Sequence, residues 1–104
     1  MACSARDNAA DWPLWNRFHE GFIQEDGRVV DWTDGARTVS EGQAYALFLA
    51  LVANDRERFD RVLGWTHTHL AKGDLAQVLP AWKWGHDAAS DRWGVLDANS
   101  ATDA

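Results

Sequence analysis

Thr38 to Ala53, T-V-S-E-G-Q-A-Y-A-L-F-L-A-L-V-A, is the stretch whose reading decides the fold. From Ala44 to Ala53 it is apolar on nearly every face of a helix, so this helix is expected to be enclosed by protein rather than half exposed. Ser40 with Gln43 three residues later reads as a capping box, in which the hydroxyl accepts the Gln43 amide proton and the Gln43 side chain reaches back. Glu41 is then the first residue inside the helix, at the rim of a core. The helix N-terminus favours its ionised form, whereas dry surroundings or a neighbouring carboxylate favour its protonated form. Glu41 is therefore either a surface acid that suits the helix dipole or a group held ready to give up a proton, and a capping box alone marks only a helix start.

Upstream, D-W-P-L-W-N-R-F-H-E-G-F from Asp11 predicts a first helix, with Pro13 preset for its first turn and Trp15, Phe18 and Phe22 along one face. The segment Glu25 to Arg37, punctuated by Gly27 and Gly35, reads as an ordered loop with a short extended piece at Val29 and Val30. Downstream, Asn54 with Glu57 repeats the capping logic. A third helix is expected to run from there to about Leu70, with Phe59, Val62, Leu63 and Leu70 on its buried face, folded back antiparallel on the second. His67 and His69 are two apart and fall on different sides of that helix, which argues against a shared metal; His19 and His86 have no partner pattern.

After Gly73 the pattern changes. Trp82 and Trp84 alternate with Lys83, and Trp93, Val95 and Asp97 alternate after the turn-rich H-D-A-A-S-D, which predicts a small hairpin. Strict alternation would place Trp82 and Trp84 on one face, as a platform for sugar rings or as packing. Trp12, Trp15 and Trp65, at helical spacing, are expected to fill the core. The ending N-S-A-T-D-A has the residues of a helix start, with Asp103 in its first turn.

Size and composition bound the rest. The 104 residues suffice for one domain. Ten Lys and Arg against sixteen Asp and Glu, without a basic cluster, argue against nucleic acid and for neutral or polyhydroxylated ligands. The lone Cys3 allows no internal disulfide, and no run is long enough to span a membrane. Residues 1–10 read as a leader.

Four motifs together, S-E-G-Q-A-Y (Ser40–Tyr45), A-N-D-R-x-x-F-D (Ala53–Asp60), L-P-A-W-x-W-G (Leu79–Gly85) and V-L-D-x-N-S-A-x-D-A (Val95–Ala104), resemble glycoside hydrolase family 8. The similarity is greatest to the periplasmic endo-β-1,4-glucanase (cellulase) branch of bacterial cellulose synthesis operons, and W-P-x-W-x-x-F and D-G-R-V-V-D match that branch too. It covers nearly all of the chain from Trp12 onward. The resemblance implies an all-α fold, the N-terminal part of an (α/α)6 barrel, as three to four helices with a small Trp-rich hairpin, in a partial catalytic domain over residues 11–104. It implies Glu41 as general acid, Asp103 as the carboxylate at the cleavage subsite, and Trp82, with Trp84 beside it, as aromatics lining the groove. It implies inversion at internal β-1,4 bonds of glucan chains, with no metal or organic cofactor and with the general base in a downstream stretch. A periplasmic or secreted location and a functional link to cellulose synthase machinery follow from the same resemblance. Chitosan, xylan or mixed-linkage glucan as substrates stay open, as do a non-catalytic carbohydrate-binding fragment and a plain helical interaction domain.

Overall fold

A computed structural model describes residues 12–100, for Ser100 the backbone alone. Three helices, α1 (Pro13–Phe22), α2 (Ser40–Val52) and α3 (Arg56–His69), are combined with strands β1 (Thr38–Val39), β2 (Ala81–Asp87) and β3 (Arg92–Ser100). The strands form one antiparallel sheet in the order β1-β2-β3. The expected helices and hairpin are present, but an all-α description omits the third strand. β1 runs straight into α2 and pairs with the hairpin, Thr38 opposite Trp84 and Val39 opposite Lys83.

The side of α2 that faces the core is built from small residues and one amide. Gln43, Ala46, Ala50 and Ala53 recur at intervals of three and four residues and are all buried, Gln43, Ala46 and Ala50 completely. With so little side chain between the axes, α2 comes close to α3 around Val62, while towards α1 the Trp15 indole fills the space against Ala50 and Ala53. Leu47 and Leu49 pack at the edges of this core, whereas Tyr45, Phe48, Leu51 and Val52 are each more than half exposed. Apolar composition all round fixes no orientation, and the expected enclosure of α2 is not supplied by residues 12–100.

Trp15 and Trp65 are buried as expected, and Trp12 packs at the edge of the Trp15 cluster. Trp15 turns its indole N–H onto Asp55 at 2.9 Å. Asp55, not Asn54, is the N-cap of α3 and accepts from the Arg58 amide at 3.2 Å. Asn54 instead takes a left-handed backbone conformation, φ 57°, in the tight turn between the two helices. Asparagine tolerates that region better than most residues, so the turn used the residue that the capping rule had claimed. Leu63 is 38% exposed, off the buried face that holds Val62, Trp65 and Thr66.

The loop between α1 and β1 is ordered. Ile23 bridges Val29, Asp31 bridges Arg37, and residues 27–30 are buried. Gly27 makes this closeness feasible: at φ 99°, a Cβ there would lie 2.0 Å from the Arg61 carbonyl oxygen.

Candidate active site

Glu41 lies in the first turn of α2 and its side chain is exposed. The capping box is absent. Val39 is the N-cap, no side chain caps the helix, and Ser40 is already helical, so Glu41 is the second residue of α2. Gln43 is engaged elsewhere: its carbonyl oxygen accepts from the Val29 amide at 2.7 Å, and its NH2 donates to Thr66 Oγ1 at 2.9 Å and to Gly27 O at 3.2 Å. A polar side chain 0% exposed must satisfy both ends of its amide, and here the buried loop offers a better partner set than the helix end does.

What brings the tryptophan hairpin to Glu41 is the strand pairing. Val39, two residues before Glu41, lies opposite Lys83, which sits between Trp82 and Trp84. Antiparallel partners have Cα atoms roughly 4.5–5.5 Å apart, so the hairpin flanks the start of α2.

The two indoles do not share an environment. The register slips between Ala81 and Lys83 and again between Lys83 and Trp84, so alternation no longer assigns both rings to one face. Trp84 is half-buried in an aromatic cluster, edge-on to Trp65 at 5.0 Å and to His69 at 5.9 Å, and tilted against Trp93 at 5.7 Å. Trp82 instead directs its indole N–H at Asp97, with the Lys83 ammonium 5.6 Å from its ring centre. The Asn99 amide, then the Trp82 N–H, hold the Asp97 carboxyl below its usual range. Trp93 remains 52% exposed at the outer side of the cluster.

Sequence reasoning did not pick out Arg28, Trp93 or His69 as site residues, although Arg28 lies in the quoted motif D-G-R-V-V-D and Trp93 in the predicted hairpin. Arg28 is buried with its guanidinium 5.0 Å from the Trp84 ring centre and 5.5 Å from that of Trp93. Burial lowers its pKa, opposed by the nearby charge of Asp26. His69 stacks on Trp65, and His67 accepts from the Leu75 amide, so the two imidazoles serve separate contacts. His19 and His86 do have partners, Asn16 and Asp91, across one helical turn and one hairpin turn respectively. Asp103 lies outside the described residues.

A concavity of about 240 Å³, lined by Ala50, Leu51, Asn54, Asp55 and Phe59 among others, lies at the other end of α2. At 1.5 Å of rise per residue that is roughly 14 Å from Glu41, too far to belong to the same site.

The start of α2, with its exposed carboxylate, lies beside an aromatic strand pair in a mainly helical scaffold, and comparison with known proteins names the family. Residues 1–104 match Glycosyl hydrolases family 8, and the chain belongs to that family. It is 50% identical over 104 residues to an endoglucanase of Escherichia coli O157:H7, covering 99% of this chain and 28% of that protein. It is 52% identical over 103 residues to an endoglucanase of Xanthomonas axonopodis pv. citri (strain 306), covering 98% and 27%. Among solved structures, an endo-1,4-D-glucanase from Vibrio fischeri ES114 superposes with TM-score 0.85 at 52% identity over 89% of this chain and 27% of that one. Endoglucanase Cel10 of Klebsiella pneumoniae, a family 8 glycosyl hydrolase, superposes with TM-score 0.75 at 34% identity, over 88% and 28%. The chain thus spans little more than a quarter of the length of these relatives.

Proposed function

We propose that these residues form the N-terminal part of an inverting endo-β-1,4-glucanase, a cellulase that cuts internal bonds of cellulose-like chains. The observation that carries this is the pairing of Val39 with Lys83, which sets the helix start bearing Glu41 beside the tryptophan hairpin. Membership in family 8 and similarity to endoglucanases over nearly the whole chain support the same reading.

In this proposal residues 11–104 belong to one (α/α)6 barrel domain, and the exposed side of α2 is covered by helices following Ala104. Glu41 donates its proton to the departing glycosidic oxygen. Asp103 holds the sugar at the cleavage subsite, and Trp82 and Trp84 line the groove, Trp84 more from behind than Trp82. A carboxylate further along activates water across the ring, at the roughly 6.5–9.5 Å separation that inversion requires. An exposed Glu41 is half of such a site: it can reach a substrate, and the shielding has to come from the remaining barrel and from Asp103. The location proposed is periplasmic or secreted, with a functional link to cellulose synthase machinery. No helix among the described residues is long and apolar enough to cross a membrane.

The test is Glu41→Gln in a protein carrying the complete domain, assayed for reducing ends released from a soluble cellulose derivative. Loss of at least about a thousandfold in kcat is expected, since shape is kept and the transferable proton removed. An undiminished rate overturns the assignment. The 104-residue chain alone is expected to show no hydrolysis.

A further inference from the structure

Arg28 connects three parts of the molecule. Its Nη1 donates to Ala36 O at 2.9 Å and to Thr38 Oγ1 at 2.8 Å, its Nε donates to Gln24 Oε1 at 3.4 Å, and its guanidinium lies against Trp84 and Trp93. The side chain makes no ion pair among the described residues, and Asp26 accepts from the Arg28 backbone amide instead. Thr38 passes the connection on: its hydroxyl donates to Val29 O at 2.7 Å, and in β1 it lies opposite Trp84 and two residues before α2.

Burying a cation without a direct ion pair is a costly way to fill space, because an aliphatic side chain of similar length would pack there with no charge to desolvate. What the guanidinium adds is direction. Its planar group is held at Nη1 by Ala36 and Thr38 and at Nε by Gln24, with two indole rings beside it, a combination that neither Met nor Lys can reproduce.

We propose that Arg28 is a positioning residue for catalysis, locking the Trp84–Trp93 pair in register with the N-terminus of α2 so that the aromatic surface and Glu41 engage the same glucan chain. This rests on the glucanase reading above. Arg28 does not touch the reacting atoms. It sets where the sugar lies when Glu41 meets it.

The experiment uses the complete family 8 domain with Arg28→Met and Arg28→Lys, cellohexaose as substrate, and near-ultraviolet circular dichroism to follow the coupling of the Trp84 and Trp93 indoles. For Arg28→Met, below its melting temperature, KM is expected to rise about tenfold while kcat stays within about threefold, with loss of the indole signal. Arg28→Lys keeps a charge near the rings but not the planar fork, and is expected to regain part of both. Folded Arg28→Met with unchanged KM and unchanged indole signal overturns the proposal. So does failure of both variants to fold at the assay temperature, which would make Arg28 a stability residue only. Wild type and Glu41→Gln run alongside separate the levels: if wild type leaves cellohexaose uncut, the glucanase reading falls; if Glu41→Gln cuts at the wild-type rate, the role of Glu41 falls; and if Glu41→Gln is inactive while Arg28→Met behaves as wild type, only the positioning role falls.

Discussion

Gln43 shows how a residue can fit a local sequence rule and not obey it. Its position three residues after Ser40 fits a helix cap, yet in the structure it binds the loop at Val29 and Gly27 and reaches Thr66 on α3. Capping rules count local partners, and the competing partners are 14 to 23 residues away. Gln43→Leu keeps most of the volume but orphans the buried Val29 amide, so it is expected to cost about 3 kcal/mol in urea unfolding. Asp55 is the second case, and here the signal was one residue off. Burial pushes its carboxyl up, but hydrogen bonds from the Trp15 indole and from the Arg58 side chain and amide outweigh it and leave the pKa lowered. A carboxylate lowered in the fold stabilises above its unfolded value near 3.9 and loses that contribution as pH falls through the folded value. Asp55→Asn should therefore flatten the acid limb of stability against pH below about pH 5, measured by thermal melts across pH.

At the scale of elements, the three helices and the hairpin were legible because each has a period or a punctuation mark of its own. The face each strand residue presents was not. Alternation from Trp82 to Trp84 fails because the register slips twice within that span, and an irregular register is decided by partner-strand packing rather than by local pattern. The same holds for α2, whose seam of Gln43, Ala46, Ala50 and Ala53 is visible only once α1 and α3 are in place. Glu41 was legible as a candidate through its motif; Arg28 was not, although D-G-R-V-V-D contains it, since its aromatic partners Trp84 and Trp93 lie more than fifty residues away. The contact of Gly27 with α3 gives an element-level prediction. Gly27→Ala places a methyl against backbone at Arg61 and Val62 and adds strain at positive φ, so a loss of about 3 kcal/mol or more is expected by chemical denaturation.

For the whole molecule, Tyr45, Phe48, Leu51 and Val52 form an exposed apolar side on a helix otherwise well packed. Exposed apolar surface of this kind marks an interaction site or an association liability. The 104-residue chain should self-associate with increasing concentration, and Phe48→Ser with Leu51→Ser should shift it toward monomer in size-exclusion chromatography without changing its helical circular dichroism. A complete domain should be indifferent to concentration and should instead be destabilised by the same pair by several kcal/mol, since there the two side chains are proposed to be buried.

The segment from Gly27 to Val30 has the outline of a loop but not its freedom. Its amides are bonded within the protein, Val29 to Gln43 and Val30 to the end of α1, and its side chains are out of solvent. In deuterium exchange these amides should rank with the helix interior, hours behind ordinary connecting segments. In the proposed glucanase this buried segment is a stiff backing behind the Trp84–Trp93 pair, so any accommodation would have to come from the bound polymer.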